Sequence, residues 1–156
     1  MMAILQRVSH GSVEVEDRII GEIEEGLVIL LGVFDNDSAE DSDFLASKSI
    51  NLRIFDDDKG NMNLSLLDIG GSVLAISQFT LCANSRKGRR PSFAHAMEPN
   101  MAEKLYDVFC EKIESYGVEV KRGLFGANMS VGIQNNGPVT IILNSRETRR
   151  GNLKEE

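Results

Sequence analysis

The chain has 156 residues, 42% of them hydrophobic and 26% charged, with three prolines and fourteen glycines. That composition excludes disorder, collagen and coiled coil as overall descriptions, and the length suits one domain with its own core. Seventeen Lys and Arg against twenty-four Asp and Glu leave a net charge of −7, which argues against broad binding to phosphate backbones.

No apolar run approaches the ~20 residues that span a bilayer, so no membrane partner is expected. Residues 1–7 lack the basic-then-apolar order of a secretory signal. Two cysteines, Cys82 and Cys110, make no disulfide framework. The expected setting is cytoplasmic, with both thiols reduced.

In chain order, residues 3–8, 13–16 and 19–23 alternate with period two and are separated by short polar breaks, one of them a turn at His10-Gly11. Residues 26–34 (GLVILLGVF) form a continuous apolar run, as in a strand buried on both faces. Ser38 with Asp41 reads as a capping box opening a helix to about Leu52, its apolar stripe interrupted by Ser49. Residues 56–61 (DDDKGN) are a turn, and residues 72–81 a second strongly β run.

Arg86, Lys87, Arg89 and Arg90 then crowd one loop, followed by a short helical turn over residues 91–97. Asn100 with Glu103 is a second capping pair; Leu105, Val108, Phe109, Ile113 and Tyr116 recur at helical spacing up to Gly117. Strands are expected over 118–122, 129–134 and 139–143, with residues 135–140 as a hairpin loop between the last two. The fold class is α+β: a β-barrel-like, largely antiparallel sheet with two main helices packed on it. A single domain is expected over residues 1–145, and a charged, frayed C-terminal tail over 146–156.

The chain carries no Cys-x-x-Cys, no His-Glu-x-x-His and no glycine loop ending in Lys-Ser or Lys-Thr, and His10 and His95 belong to no metal-ligand spacing. No metal and no cofactor is expected. Two polar insertions stand out in apolar strands. In Ser77-Gln78-Phe79-Thr80, the Gln78 amide is costly in a sheet interior, so it faces a pocket or an edge. Ser77 and Thr80 lie an odd number of residues apart, so both serve one pocket only if the strand bends. Either hydroxyl is a nucleophile or a sheet hydrogen-bonding group; no neighbouring His or Lys in sequence activates it.

The second insertion, Asn135-Asn136-Gly137-Pro138-Val139-Thr140, offers bare backbone that a ligand can approach closely. The basic loop is either a solvated polar surface or a local grip on nucleic acid. The residues alone reach a pocket lined by Gln78, hydroxyls and bare backbone.

Those two insertions resemble the signature motifs of the D-aminoacyl-tRNA deacylase family. Further blocks agree in order: Gln6-Arg7-Val8, Asn51-Leu52-Arg53-Ile54-Phe55, Met62-Asn63-Leu64-Ser65, Gly88-Arg89-Arg90-Pro91-Ser92-Phe93, and Phe125-Gly126-Ala127 with Met129. The resemblance covers residues 1 to about 145. It implies a homodimer that hydrolyses the ester of tRNA charged with a D-amino acid or glycine.

It further implies that Gly137 and Pro138, joined by a cis bond, act in the partner's pocket as a chiral gate, with Arg7 holding that segment across the interface. Ser77, Gln78, Phe79 and Thr80 form the catalytic pocket, Phe125 and Met129 pack on the adenine, and Asn135 joins the substrate-binding set. Arg86, Lys87, Arg89 and Arg90 meet acceptor-stem phosphates. Catalysis would rest on backbone oxyanion stabilisation and an RNA 2′-hydroxyl. The alternatives are a covalent Thr80 hydrolase and a non-catalytic binder of tRNA 3′ ends.

Overall fold

The computed structural model describes residues 1–147. The tail expected over 146–156 therefore lies, from residue 148 on, outside the described residues. In chain order the elements are β1 (Met2–Val15), β2 (Arg18–Ile23), β3 (Gly26–Gly32), α1 (Ala39–Asn51), β4 (Phe55–Asp56), β5 (Met62–Leu64), α2 (Leu66–Ile69), β6 (Ser72–Ser77), a 3-10 turn (Phe79–Cys82), α3 (Pro99–Glu114), β7 (Val120–Arg122) and β8 (Ser130–Asn144). The main sheet runs β2-β1-β3-β6-β7, with β8 on the other side of β1; β4 and β5 form a separate hairpin. β2 curls against β6 and β7, which nearly closes a barrel.

The α+β class and the barrel-like sheet agree with the sequence reading, but the sheet is mixed. β1 pairs antiparallel with β2, β3 and β8, whereas β3–β6 and β6–β7 are parallel. The parallel order follows from the crossovers: α1 with the β4–β5 hairpin joins β3 to β6, and α3 joins β6 to β7.

Two expected breaks are absent. β1 is one strand through His10 and Gly11, because its first half pairs with β3 and its second half with β2 while β8 follows it throughout. Likewise residues 135–140 are no hairpin loop. They are the irregular middle of β8, where the register against β1 slips between Gln6 and Val8 and again between Val8 and His10. The residue types there favour a reversal, and the ladder to β1 overrides them.

The alternation of β3 and β6 divides the sheet between two cores. Ala3, Leu5, Leu27, Ile29, Leu31, Val73 and Ala75 face α1 and α3, meeting Leu45, Ile50, Phe109 and Ile113. Val8, Val13, Ile23, Val28, Leu74 and Ile76 fill the curl of the barrel. Burying one such side chain fully stabilises by about 2 kcal/mol.

Ser38 caps α1 as expected, its backbone N–H donating to Asp41 at 2.9 Å. Ser49 does not spoil the buried stripe, because its hydroxyl donates to the Leu45 carbonyl one turn back at 2.7 Å. α3 begins earlier than the Asn100–Glu103 pair suggests. Glu98 is its cap, accepting from the N–H groups of Asn100 and Met101, and Pro99 occupies the first helical position, where no donor is needed. Its buried face is Ala102, Tyr106, Phe109, Cys110 and Ile113, while Tyr116 is exposed.

Candidate active site

The catalytic motif sits at a corner. β6 is apolar through Ile76, and the N–H of Gln78 makes a last bond to the Leu31 carbonyl at 2.8 Å before the chain turns into the 3-10 segment. The strand thus bends between Ser77 and Thr80, and Gln78 Nε2 donates to Thr80 Oγ1. Two cavities adjoin here, both lined by Ser77, Gln78, Phe79 and Gly126.

The larger cavity, about 450 Å³, is apolar. Phe79 and Phe93 meet edge to face across its mouth with centroids 5.0 Å apart, and Phe79 remains 59% exposed. Phe125 and Tyr106 line its inner wall, their ring centroids 6.1 Å apart. The Tyr106 hydroxyl donates to the Ala75 carbonyl at 2.8 Å, and the Gly123 N–H donates to the same oxygen at 2.9 Å, fixing the segment that leads to Phe125. The smaller cavity, about 230 Å³, is lined by Ile76, Ala127, Asn128, Met129 and Val131. Phe125 and Met129, expected on one adenine, therefore stand in neighbouring cavities.

The basic loop rises from the edge of the larger cavity. An antiparallel bridge between Asn84 and Ser92 closes it, with N···O distances of 2.8 and 3.0 Å, and Phe93 follows directly. Arg86, Lys87, Arg89 and Arg90 are all exposed. Residues 91–97 contain no helix but one hydrogen-bonded turn, Ala96 N–H to the Phe93 carbonyl at 3.0 Å, and the Asp35 N–H to the His95 carbonyl and the Met97 N–H to the Val33 carbonyl hold them against the chain after β3.

Gly137 and Pro138 line neither cavity of their own chain. Their peptide bond is cis, and Gly137 has φ of 131°. Arg7 is 7% exposed and holds this segment from within the same chain: Nε donates to the Asn136 carbonyl at 2.9 Å, and Nη1 to the Ile54 carbonyl at 2.8 Å and to Asp56 at 3.2 Å. On the other face of β1, Gln6 Oε1 accepts from Asn135 Nδ2 and, at 2.8 Å, from Thr140 Oγ1. Asn135 Oδ1 in turn accepts the Val139 N–H at 3.0 Å.

The two motifs nonetheless share a sheet face. Ile76 lies opposite Leu30, Leu30 opposite Ile4, and Ile4 opposite Ile142. Ile76 in the smaller cavity and Ile142 on β8 are thus three inter-strand steps apart, about 14 Å at ~4.8 Å per step, with Gly137 and Pro138 further along β8 in its middle. The strip between them is incompletely covered: Ile4 and Leu30 are half-buried and Ile142 is 65% exposed.

One carboxylate, Glu98, lines the larger cavity, and its two oxygens accept the Asn100 and Met101 N–H groups at 3.1 and 3.2 Å as the cap of α3. His95 is exposed beside Asp35, and His10 bonds Glu22 at 2.8 Å on the far hairpin. Desolvation, with the charge of Asp37, pushes the Cys82 thiol up to about 11. Burial pushes Cys110 up to about 12. Neither thiol is a thiolate at neutral pH. Among the described residues no group of three His, Cys, Asp or Glu side chains is placed to hold a metal ion.

Tyr106, Phe93 and Gln6 belong to this constellation and were not singled out as site residues from sequence. Tyr106 had a usable signal, since Ala102, Tyr106, Phe109 and Ile113 keep helical spacing. Gln6 had none beyond being polar in a strand.

Residues 4–144 match the family described as D-Tyr-tRNA(Tyr) deacylase. The chain belongs to this family. D-aminoacyl-tRNA deacylases of Fervidobacterium nodosum and Aquifex aeolicus are each 52% identical to it over 147 residues, covering 94% of this chain and 99% of theirs. Among solved structures, that of a c-Myc DNA Unwinding Element Binding Protein superposes with a TM-score of 0.86 at 38% identity, covering 92% of this chain and 98% of that one. Membership thus spans the barrel, both helices and both motifs. No described helix is long and apolar enough to cross a membrane.

Proposed function

We propose that this family member hydrolyses the ester of D-aminoacyl-tRNA, and of Gly-tRNA, in the cytoplasm, releasing the amino acid and free tRNA. The observation that carries this reading is the bent Ser77–Thr80 corner, which offers polar groups and two adjoining cavities whose one lining carboxylate, Glu98, is already committed to capping α3. An aminoacyl ester is already activated, so holding it, admitting water and stabilising the oxyanion suffice. Water adds to the ester carbonyl carbon, the carbonyl oxygen takes the negative charge, and collapse expels the ribose 3′-oxygen, which recovers a proton. The backbone N–H groups of Phe79 and Thr80 open the 3-10 turn, have no acceptor within it, and are the donors assigned to that oxyanion. The neighbouring ribose 2′-hydroxyl assists the water.

The larger apolar cavity suits the terminal adenine, with Phe125 on its wall, and the smaller cavity the aminoacyl end. Gly137 and Pro138 reach that end from a partner copy. A two-fold pairing over the Ile4–Ile142 strip is isologous, so each chain receives the other's gate and two equal sites form. Rigid backbone beside the α-carbon leaves no room for an L side chain, and exclusion of this kind discriminates enantiomers better than attraction does. Arg86, Lys87, Arg89 and Arg90 steer and hold acceptor-stem phosphates, a salt-sensitive contact indifferent to sequence.

The test is a paired time course with one tRNA charged with D-Tyr or L-Tyr. Release of D-Tyr with L-Tyr retained is expected. Release of both marks a general esterase. Binding without release marks a nucleic-acid binding module, in line with the DNA binding for which the 38% identical protein is named. Thr80→Ala separates the mechanisms. If no hydroxyl attacks, its kcat falls by about tenfold or less, whereas a loss near 10⁴-fold, together with an acyl-enzyme trapped on Thr80 of the wild type, would establish covalent catalysis.

A further inference from the structure

Two side chains of β1 grip the irregular middle of β8 from opposite faces. Arg7 lies beneath, with Nη2 only 2.9 Å from where a Cβ on Gly137 would sit. Gln6 lies above, half-buried, and its single oxygen Oε1 collects two donors that flank the Gly137–Pro138 segment: Asn135 Nδ2 before it and Thr140 Oγ1 after it. Asn135 completes the loop through its own oxygen, which accepts the Val139 N–H. The four residues from Asn136 to Val139 are therefore bracketed by a closed circuit, Gln6 to Asn135 to Val139 and Thr140 back to Gln6.

Resting on the gate reading above, we propose that Gln6 is a positioning residue for enantiomer selection, setting how rigidly Gly137 and Pro138 are presented to the partner's pocket. Selection by exclusion is only as sharp as the excluding wall is stiff. A wall that recedes admits an L side chain, and register slips leave this stretch of β8 with fewer ladder bonds than its ends. The Gln6 circuit replaces those bonds with side-chain ones. It also gives Asn135 a structural occupation, since its Nδ2 and Oδ1 are both engaged in the circuit.

The chemistry makes a conservative rescue available. Both donors converge on one acceptor oxygen, so a carboxylate retains the circuit and an aliphatic side chain of similar size destroys it. The experiment compares wild type, Gln6→Glu, Gln6→Leu and Thr140→Val, measuring kcat/KM for D-Tyr-tRNA and L-Tyr-tRNA alongside the thermal midpoint.

Gln6→Leu is expected to lower the D-over-L ratio by about tenfold, chiefly through faster loss of L-Tyr, the factor that its two lost hydrogen bonds supply if together they contribute ~1.4 kcal/mol. Gln6→Glu should stay within about threefold of wild type, and Thr140→Val, which removes one donor at an exposed position, should fall between them. An unchanged ratio in Gln6→Leu, or a Gln6→Glu ratio as low as that of Gln6→Leu, overturns the assignment. Should Gln6→Leu not fold, an unchanged ratio in Thr140→Val overturns it instead. A wild type with no D preference fails at the first measurement, and that result defeats the gate reading itself rather than the role of Gln6.

Discussion

Ile142→Glu is expected to convert the protein to a monomer and to lower D-Tyr-tRNA deacylation by at least about 100-fold. Ile142 is a large aliphatic residue left 65% exposed at the open side of the barrel, in line with Ile4 and Leu30. An exposed Ile alone is unremarkable, but this one continues a row that ends in the smaller cavity at Ile76. In the proposed dimer a second copy would cover that row and bring its Pro138 to the site, which the Gly137–Pro138 segment of the same chain does not line. A carboxylate at position 142 would have to be desolvated against the partner's apolar strip, twice per dimer because the interface is isologous.

Sedimentation and the deacylation rate should therefore change together. The thermal midpoint should fall as well and lose its dependence on protein concentration, since the wild-type dimer is stabilised by association and the monomeric variant is not. A monomer of full activity would sink the cross-subunit gate, and a dimer without activity would move the interface elsewhere.

What was legible in the sequence was whatever local pattern decides. Residues 26–34 are apolar on both faces, and β3 is accordingly central, with β1 and β6 on either side. The Ser38–Asp41 spacing set the start of α1 within a residue. Tertiary pairing decided the rest. Whether β6 runs parallel to β3 is a property of the crossover, with no signature inside either strand. Asn-Asn-Gly-Pro carries turn composition, and only the pairing of β1 against β8 from Glu14 back to Met2, at eleven positions, makes it part of a strand.

The site divides in the same way. Ser77, Gln78 and Phe79 could be placed at a pocket from the cost of burying Gln78, and the bend at the end of the β3–β6 ladder leaves Thr80 off both cavity linings, tied to them through Gln78 Nε2. Gln6 acts through a partner 129 residues away in sequence, so no local pattern announces it, and the helical spacing that marks Tyr106 as buried does not reveal its bond to Ala75, 31 residues away.

Gly137→Ala carries the sharpest expectation for the gate itself. A Cβ there would stand 2.9 Å from Arg7 Nη2, 2.9 Å from Val139 Cγ2 and 3.1 Å from the Val139 nitrogen, with φ at 131°. An arginine end normally yields, but this guanidinium is buried and already committed to the carbonyls of Asn136 and Ile54. The backbone must move instead, and a shift of about 1 Å in a positioning element costs on the order of 100-fold in rate. Strain of ~1–3 kcal/mol should also lower the thermal midpoint by several degrees.

Gly60→Ala supplies the control. Gly60 has φ of 77° in the β4–β5 turn, open space around it, and no part in either cavity, so its variant should lose stability and keep its rate and D-over-L ratio. Deacylation by Gly137→Ala that matched the control, with L-Tyr-tRNA still spared, would show that the gate tolerates a side chain at its tip and that selection lies elsewhere in the pocket.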